Sequence, residues 1–316
     1  MDNVGTIVIL AAGSGSRFGG AKQFMCFGHG AKTLMEYNLH HAMKAGFTHV
    51  VFVTQAHQKE QLEQQVMPRL PSRLKVDIAI QTVDMLPDAC QLSPTRNKPL
   101  GTAHALWCAR AHIKGAFAVI NGDDYYGEQA FAQLQSRHKS IDQHNAVSHH
   151  TMVAYLIKNT LSENGGVNRG ICEHNASMQL QRITEVEQIK SISEHGHSAI
   201  VGKIASSGKS IHIPHNTPVS MNCWLFDKSI FSGIEQALVA TFGTAADAQQ
   251  IDSNTECYLP DVVMSLLANA QVVVDVLISK DDWFGVTYAA DSASVDEKVN
   301  GLTLSNSASL AKGAQP

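Results

Sequence analysis

The first residues with an evident chemical use form a glycine-rich segment near the start of the chain. Residues 10–23 read LAAGSGSRFGGAKQ and follow a short apolar run at residues 6–10. Glycines allow a sharp turn and a close approach to a ligand, and successive backbone N–H groups in such a loop form a concavity that binds anions. Arg17 adds a planar fork suited to phosphate oxygens, and Lys22 adds a compact positive charge. We therefore expect a loop at the end of a strand that holds the phosphates of a nucleotide.

Two familiar phosphate-binding loops do not match this segment. The dinucleotide fingerprint needs a third glycine in its sixth position, which Phe18 occupies here. The Walker loop needs Gly-Lys followed by Ser or Thr, whereas Gly20 is followed by Ala-Lys-Gln. A glycine-rich turn with incidental basic residues is the structural alternative.

The segment resembles, at nearly every position, the signature loop of the sugar-1-phosphate nucleotidyltransferases, which reads Leu-Ala-Ala-Gly-x-Gly-x-Arg with a Lys a few residues later. The resemblance implies catalytic roles for Arg17 and Lys22. It also implies nucleotide contacts from the residues that open the loop, namely Leu10, Ala11, Ala12, Gly13, Ser14 and Gly15.

The chemistry of this family explains why such residues are needed. Nucleotidyl transfer joins a phosphate nucleophile to the α-phosphorus of a nucleoside triphosphate and expels pyrophosphate. The nucleophile is already ionised near neutral pH, so the main obstacle is repulsion between two polyanions. Positioning, cationic side chains and Mg²⁺ overcome that repulsion, so the site also needs a carboxylate.

The best candidate for this carboxylate lies in the segment Asn121-Gly122-Asp123-Asp124, directly after a predicted buried strand. It resembles the Gly-Asp motif whose Asp ligates Mg²⁺ in the family, which assigns the metal to Asp123. Asp124 is open to three interpretations: it tunes the site, binds a metal-bound water, or caps the following helix.

Residues 98–105, KPLGTAHA, resemble the segment of the family that contacts the nucleobase. Gly101 would let a flat base lie against the backbone, and Thr102 could hydrogen-bond a pyrimidine edge. Gln81, at the end of the preceding strand, matches a glutamine that contacts the base. This form of the segment favours UTP, with dTTP as the alternative. A simple helix cap by Thr102 is the structural alternative to a base contact, and the two roles could coexist.

Motifs further along the chain occur in the order found in the sugar-binding half of the family. By this resemblance Gly170 approaches the acceptor with its backbone, Glu185 accepts hydrogen bonds from sugar hydroxyls, and Asn222 bonds another hydroxyl. Lys190 would contact the acceptor phosphate.

One position departs from the family pattern. Gly285 stands where relatives often place a second Mg²⁺ ligand in a late Trp-x-Asp segment. Thr287 or Asp291 could replace it, or the metal could depend on phosphates, Asp123 and water, since Mg²⁺ commonly keeps several waters.

The elements that must position these residues alternate between strands and helices in the first half of the chain. Apolar runs predict strands at 6–10, 50–53, 75–80 and 116–120, and spacing predicts helices at 33–45, 58–67, 102–112 and 128–138. Such alternation implies parallel pairing with ligands at the carboxyl ends of the strands. The predicted fold is α/β, a Rossmann-like three-layer sandwich with a mixed, mainly parallel sheet.

The second half of the sequence gives weaker signals. It predicts strands at 151–157, 179–186, 219–226 and 272–278, a helix after Pro260, and a turn-rich loop at 164–170. We expect one nucleotidyltransferase domain over 1–290, with a nucleotide half (about 1–140) and an acceptor half (about 141–290). A partly disordered C-terminal segment would follow at 291–316.

Composition narrows the partners and the compartment. The 316 residues carry a formal net charge of -4, which gives no electrostatic footprint for nucleic acid. The scattered cysteines and histidines form no recognised metal or disulfide pattern, and no apolar run has the length of a membrane span. Without a signal peptide, the expected location is the cytoplasm; a homo-oligomer is left open.

These observations predict a Mg²⁺-dependent nucleotidyltransferase of nucleotide-sugar biosynthesis that acts on a nucleoside triphosphate and a sugar 1-phosphate. Transfer to a non-sugar phosphate or phosphonate is one alternative. A catalytically silent protein that senses nucleotides is the other.

Overall fold

The computed structural model describes residues 4–13, 22–92, 96, 98–141, 147–194, 197–243, 252 and 254–312. Its helices are α1 (Leu34–Ala45), α2 (Ala56–Gln61), α3 (Thr102–Cys108), α4 (Glu128–Ser140), α5 (Ile230–Phe242), α6 (Leu259–Ala268) and α7 (Asp291–Lys312). Its strands are β1 (Thr6–Leu10), β2 (Cys26–Phe27), β3 (Lys32–Thr33), β4 (His49–Thr54), β5 (Lys75–Ile80), β6 (Phe117–Asn121), β7 (Asp124–Tyr125), β8 (Ser148–Leu156), β9 (Val167–His174), β10 (Leu180–Glu194), β11 (His197–Ile204), β12 (Ser210–Ile213), β13 (Pro218–Phe226), β14 (Val272–Ile278) and β15 (Phe284–Gly285).

Four parallel strands form the centre of the main sheet in the order β6-β1-β4-β5. Their apolar residues are buried because helices cover both faces of the sheet. Leu10 pairs with Val53 on one side and with Asn121 on the other, so the three strands end at one edge. The residues that follow these strands are therefore neighbours, as the alternation of strands and helices predicted.

An antiparallel extension continues the sheet beyond β6 in the order β13-β9-β10-β11-β12. β13 also pairs with β8, which pairs in parallel with β14. The α/β class with a mixed sheet and a parallel core is confirmed. The antiparallel part is larger than the sequence indicated, because β11 and β12 gave no recognised signal.

Helices on the two faces of the sheet complete three layers. One hydrophobic core joins α3, α5 and α6 to one face, and a second core joins α1 and α4 to the other. Capping defines α1 sharply: the Thr33 hydroxyl accepts from the backbone N–H of Glu36, and Gly46 ends the helix in the left-handed region with φ 106°.

Two local expectations are wrong. The predicted loop at 164–170 gives way at Val167 to β9, whose register with β10 and β13 is set by strands distant in sequence. The predicted helix at 102–112 ends as α3 at Cys108 and is followed by a short 3₁₀ turn, Arg110–His112.

The first turns of α7 pack onto the domain through a small third core that includes Phe27, Val295 and Val299. The backbone N–H of Gly28, in the turn between β2 and β3, donates to Asp296 Oδ1 at 2.7 Å. Composition predicted little order from about residue 303, whereas the structure continues this helix to Lys312. In the part of the chain that the structure describes, no helix combines the length and apolar character needed to cross a bilayer.

Candidate active site

The carboxyl ends of the parallel strands open into a cleft of about 560 Å³. The nucleotide-binding and metal candidates that the structure describes all lie in its wall. The lining residues are Leu10, Ala11, Ala12, Gly13, Lys22, Gln23, Gln81, Lys98, Pro99, Gly101, Thr102, Ala105, Asn121, Asp123, Asn254 and Glu256.

The backbone carbonyls of the opening loop are held by glutamine side chains. Gln23 Nε2 donates to the carbonyl of Ala11 at 2.8 Å, and Gln55 Nε2 donates to the carbonyl of Ala12 at 2.6 Å. Within the described part of the chain, the N–H groups of Ala12 and Gly13 donate to no partner. This polarity suits an anion. Three residues of the predicted loop lie outside the described residues: Ser14, Gly15 and Arg17.

Lys22 joins the opening loop to the carboxylate at the end of β6. Its Nζ lies 2.5 Å from Asp123 Oδ2 and donates to the carbonyl of Val286 at 3.0 Å. Each of the two charged side chains keeps roughly a quarter of its surface exposed, 26% for Lys22 and 22% for Asp123. The pair thus places a cation and a carboxylate together at the surface of the cleft.

Gln81 is held in place by a buried histidine. Its Nε2 donates to His104 Nδ1 at 3.1 Å, while His104 Nε2 donates to the carbonyl of Met85 at 3.0 Å. Burial lowers the pKa of His104 to about 4, so the ring is neutral and its Nδ1 remains an acceptor. Within the described residues Gln81 Oε1 makes no hydrogen bond, which leaves an acceptor in the wall of the cleft.

The segment predicted to contact the base is bonded to the start of α6. Cys257 N–H donates to the carbonyl of Leu100 at 2.8 Å, and Thr102 Oγ1 accepts from the N–H of Leu259 at 2.9 Å. Gly101 has φ 94°, and a Cβ there would overlap the backbone of Cys257. The helix cap considered for Thr102 is not formed, because Gly101 is the N-cap of α3 and no side chain caps it.

Sequence reasoning missed the wall opposite the opening loop. Arg96 donates to the carbonyls of Asp252 at 3.1 Å and Thr255 at 2.7 Å, and it also bonds the carbonyl of Lys98. Lys98 Nζ in turn donates to Asn254 Oδ1 at 2.5 Å. Only the position of Arg96 and Lys98 beside the base segment could have indicated this wall, since Asp252, Asn254 and Thr255 are distant in sequence.

Gly170 and Glu185 of the acceptor candidates are brought together across neighbouring strands. Gly170 on β9 is in register with Glu185 on β10 and with Ser220 on β13. A Cβ at Gly170 would lie 2.7 Å from Ile183 Cγ2 and 3.6 Å from Glu185 Oε2. Packing between strands therefore already requires glycine here, and the exposed Glu185 carboxylate lies on the same face.

Asn222 connects the acceptor half to the cleft. Its Nδ2 donates to Asn121 Oδ1 at 2.7 Å, and its Oδ1 accepts from Trp224 Nε1 at 2.8 Å. The backbone at Asn222 is in the left-handed region with φ 60°, beside an irregularity in the pairing of β13 and β8. The Nδ2 group of Asn222 is thus directed at Asn121, which lines the cleft together with Asp123.

Lys190 lies elsewhere. Its side chain lines a second cleft of about 630 Å³, together with Arg169, Trp283 and Asp291. Burial lowers the pKa of Arg169 to about 10, and its guanidinium lies 4.9 Å from the centre of the Trp283 ring. None of the four acceptor candidates lines the first cleft, and of these Lys190 is the one that lines the second.

Asp124 is buried next to Asp123 and does not cap a helix. The first turn of α4 is held instead by Asp281, whose Oδ2 accepts from the N–H of Gln129 at 2.6 Å. Asp124 Oδ2 accepts from Asn121 Nδ2 at 2.9 Å. Burial and then the neighbouring Asp123 charge raise the pKa of Asp124, whereas Lys22 lowers it. The capping interpretation of Asp124 is wrong.

Gly285, the departure from the family pattern, lies at the metal candidate. β15 pairs antiparallel with β7, which sets Gly285 opposite Asp124. Asp291 is committed to another task, because its carboxylate accepts from the N–H groups of Thr287 at 3.0 Å and Tyr288 at 2.7 Å. It also accepts from side chains of the loop before β9. Asp291 therefore organises its own turn and is no substitute ligand.

The residues present fit a Mg²⁺ ion shared with a nucleotide. Among the described residues no group of three or more His, Cys, Asp or Glu side chains could hold a metal, so a cage built by the protein alone does not form there. Mg²⁺ accepts one or two carboxylates together with phosphate oxygens and water. The Lys22 ammonium between Asp123 and the Val286 carbonyl shows that oxygen donors here converge on a cation.

Comparison with known proteins agrees with this geometry. A family model described as nucleotidyl transferase matches residues 6–209, which include the opening loop, Asp123 and Glu185. The chain belongs to the nucleotidyl transferase family. The family and the enzyme class predicted from the opening loop are thereby confirmed.

Individual relatives are more distant. The chain is 31% identical over 121 residues to the bifunctional protein GlmU of Corynebacterium diphtheriae, a match that covers 37% of this chain and 22% of that protein. The chain therefore spans about a fifth of that curated relative.

Two solved structures share the fold over almost the whole chain. The inositol-1-phosphate CTP transferase from T. maritima has a TM-score of 0.59 at 14% identity and covers 94% of this chain and 95% of its own. HddC from Yersinia pseudotuberculosis, complexed with GMP-PN, has a TM-score of 0.56 at 17% identity and covers 94% and 100%. At these identities the likeness establishes the fold.

Proposed function

We propose that the protein couples a nucleoside triphosphate, UTP in the first place and dTTP as the alternative, to a sugar 1-phosphate and releases pyrophosphate. The observation that carries this proposal is the Lys22–Asp123 pair at the open edge of the sheet. It lies beside the N–H groups of Ala12 and Gly13, which donate to no partner among the described residues and suit phosphates. Membership of the nucleotidyl transferase family supports the same reaction.

The reaction needs orientation and charge neutralisation more than a base. An oxygen of the acceptor phosphate attacks the α-phosphorus and forms a new P–O bond. The bond from the α-phosphorus to the bridging oxygen breaks, and its electron pair leaves with pyrophosphate. Lys22 and Arg17 would stabilise the charge that gathers on the triphosphate, since preorganised cations act most strongly in a site with little water.

Asp123 is the residue that would hold Mg²⁺ in this site. When bound, the metal ion would neutralise phosphate charge and so reduce repulsion between the two substrates. The chain itself contributes the carboxylate, the lysine and the Val286 carbonyl around that position.

Recognition of the base would depend on the amide of Gln81. Because its Nε2 is bonded to His104, its Oε1 is available to accept a hydrogen bond. Uracil and thymine present an N3–H group that would donate to Gln81 Oε1. Gly101 and Thr102 would form the floor beneath the base.

The acceptor would lie over Gly170, with Glu185 and Asn222 contacting its hydroxyls. The polar connection from Asn222 to Asn121 supports this placement, since it reaches the strand end that carries Asp123. Because Lys190 lines the second cleft, we assign the acceptor phosphate to the cations of the opening loop instead.

A phosphate of a polyol is the second candidate acceptor. The inositol-1-phosphate CTP transferase shares the fold over nearly its full length, and its named substrates are inositol 1-phosphate and CTP. A phosphonate acceptor and a silent nucleotide sensor complete the alternatives that an experiment must separate.

The test is a screen for pyrophosphate release. Purified protein with Mg²⁺ is combined with each of UTP, dTTP, CTP, GTP and ATP and with a panel of sugar 1-phosphates, inositol 1-phosphate and phosphonates. We expect release with UTP or dTTP and a sugar 1-phosphate, and loss of most of the rate in Lys22→Ala and Asp123→Ala. Lys114→Ala and Asp88→Ala, at exposed positions outside the cleft lining, are the matched controls.

Each remaining outcome has a definite meaning. Release only with inositol 1-phosphate or a phosphonate would replace the sugar by that acceptor. Nucleotide binding without pyrophosphate release from any pair of substrates would support the nucleotide-sensing alternative. Unchanged release in both cleft variants would contradict the assigned mechanism.

A further inference from the structure

The short pairing of β7 with β15 places a carboxylate in the space that residue 285 leaves open. Gly285 is opposite Asp124 in the register, and a Cβ built on Gly285 would overlap Asp124 Oδ1. The same Cβ would lie 3.2 Å from the backbone carbonyl of Asp123. Glycine at 285 is therefore the condition for Asp124 to extend its carboxylate beside Asp123.

A hydrogen bond orients this carboxylate through one oxygen. Asp124 Oδ2 accepts from Asn121 Nδ2 at 2.9 Å, and the Tyr126 hydroxyl lies 3.3 Å away. That hydroxyl donates its single proton to the carbonyl of Met221 at 2.7 Å, so it contacts Asp124 without donating to it. Oδ1 is the oxygen directed at Gly285, and among the described residues it accepts no hydrogen bond. One oxygen is anchored, and the other has no hydrogen-bond partner among these residues.

The neighbours of Asp124 define which ligand would suit it. The Lys22 ammonium lies against Asp123 and the carbonyl of Val286, the residue that follows Gly285. Both segments that approach Asp124 thus contribute oxygen to a cation. A single buried carboxylate in such a place is costly unless a cation or hydrogen bonds compensate it.

Resting on the proposed function, we propose that Asp124 is the second carboxylate of the divalent-cation site. From β7 it fills the place that a side chain at 285 would fill from β15. Asp123 and Asp124 then present oxygen ligands from one turn, and Gly285 provides the room. The pair of positions 124 and 285 acts as one unit, in which one carries the carboxylate and the other must be small.

The test exchanges the residues at positions 124 and 285 and measures metal binding, without catalytic turnover. Binding of Mn²⁺ is followed by the electron paramagnetic resonance signal of the free ion, in the presence of a UTP analogue with a methylene bridge between the α- and β-phosphates. We compare wild type with Asp124→Asn, Gly285→Asp, and the double variant Asp124→Gly/Gly285→Asp. Asp282→Asn, an exposed carboxylate three residues before Gly285, is the matched control.

We expect Asp124→Asn to weaken Mn²⁺ binding about tenfold or more, as loss of a ligand or its close partners does. Gly285→Asp alone should also weaken it, because two side chains then compete for one space. The double variant should recover most of the affinity, and Asp282→Asn should match wild type. Thermal unfolding of every variant shows which of them are folded.

Two results would overturn the inference: wild-type Mn²⁺ affinity in Asp124→Asn, or no recovery in a double variant that is folded. If wild type itself bound no Mn²⁺ with the analogue, the proposed function would fail instead. Nucleotide binding measured by calorimetry without metal separates that failure from a wrong choice of base.

Discussion

Gly101 packs its α-carbon against the backbone of Cys257, so the loop before α3 and the start of α6 form one wall. The contact leaves no room for a Cβ, and with φ 94° and ψ 178° the residue adopts a conformation essentially restricted to glycine. The base segment is thus held by a long-range contact rather than by its own helix.

We predict that Gly101→Ala lowers the free energy of unfolding by about 2 to 5 kcal/mol, as backbone strain and overlap add. Urea denaturation measures this change. Gly208→Ala is the matched control, since Gly208 has φ 66° but nothing within 4 Å of a Cβ; it should cost only about 1 to 2 kcal/mol. Equal losses in both variants would show that the Cys257 contact contributes nothing.

Glu185→Gln should raise the KM for the acceptor about tenfold, because a neutral amide loses a charge-assisted hydrogen bond of about 1.5 kcal/mol. The KM for the nucleoside triphosphate should be unchanged. Initial rates with each substrate varied in turn measure both constants. Glu187→Gln, an exposed carboxylate on the same strand, is the control. A selective rise in the nucleotide KM would remove Glu185 from the acceptor site.

His150 should make the protein less stable in mild acid. Burial lowers the pKa of His150 from the usual 6.5 of an imidazole to about 4. The unfolded chain binds the proton more tightly, so the stability from this residue is complete above pH 6.5 and is lost as pH falls towards 4.

The variant that tests this is His150→Phe. When the pH falls from about 7.5 to about 5, the free energy of unfolding should decrease less in this variant than in wild type, by about 2 kcal/mol. Urea denaturation at the two pH values gives the difference. His57→Phe removes an exposed imidazole instead, and the same reduction in that variant would refute the assignment to His150.

Arg96→Lys should loosen the far wall of the cleft. The guanidinium bonds the carbonyls of Pro99 and Thr255 through one nitrogen and that of Asp252 through another, which a lysine cannot reproduce. Faster hydrogen exchange at the amide of Cys257 and a higher KM for the nucleotide are the expected results. Protection equal to that of wild type would show that Arg96 is dispensable. Arg73→Lys, at an exposed position, is the control.

Local signals predicted much of the fold. The strand at Lys75–Ile80 and the strand at Val272–Ile278 begin and end where the apolar runs do. Gly46 marks the end of α1, because a left-handed residue there satisfies the last carbonyls of the helix. These features depend on neighbours in sequence.

What depends on distant residues was not predictable. β9 begins at Val167 because β10 and β13 supply its hydrogen-bond partners, although the preceding glycines suggested a loop. Asp281 accepts a hydrogen bond from the first turn of α4, whereas proximity in sequence suggested Asp124 for this role. Lys190 lies in the second cleft, and the pairing of β10 with β11 is irregular just before it, between Glu187 and Lys190. The position of this side chain was therefore not predictable from the sequence.

The opening loop and the Asn121-to-Asp123 segment were recognisable because their residue types and spacing are both unusual. The other wall of the cleft was not, because Asp252 and Thr255 carry no pattern and meet Arg96 only in three dimensions. Motifs thus identified one half of the cleft and packing the other.

The contact between α7 and the β2–β3 turn has a mechanical consequence for Lys22. Asp296 accepts a hydrogen bond from the turn that begins shortly after Lys22. Val295 packs in the same small core as Phe284, which lies close in sequence to Val286, whose carbonyl accepts from Lys22. Stiffness in the cation's surroundings thus originates partly from a helix remote in sequence. Displacement of α7 would therefore remove support from both sides of Lys22, although every sequence motif would be unchanged.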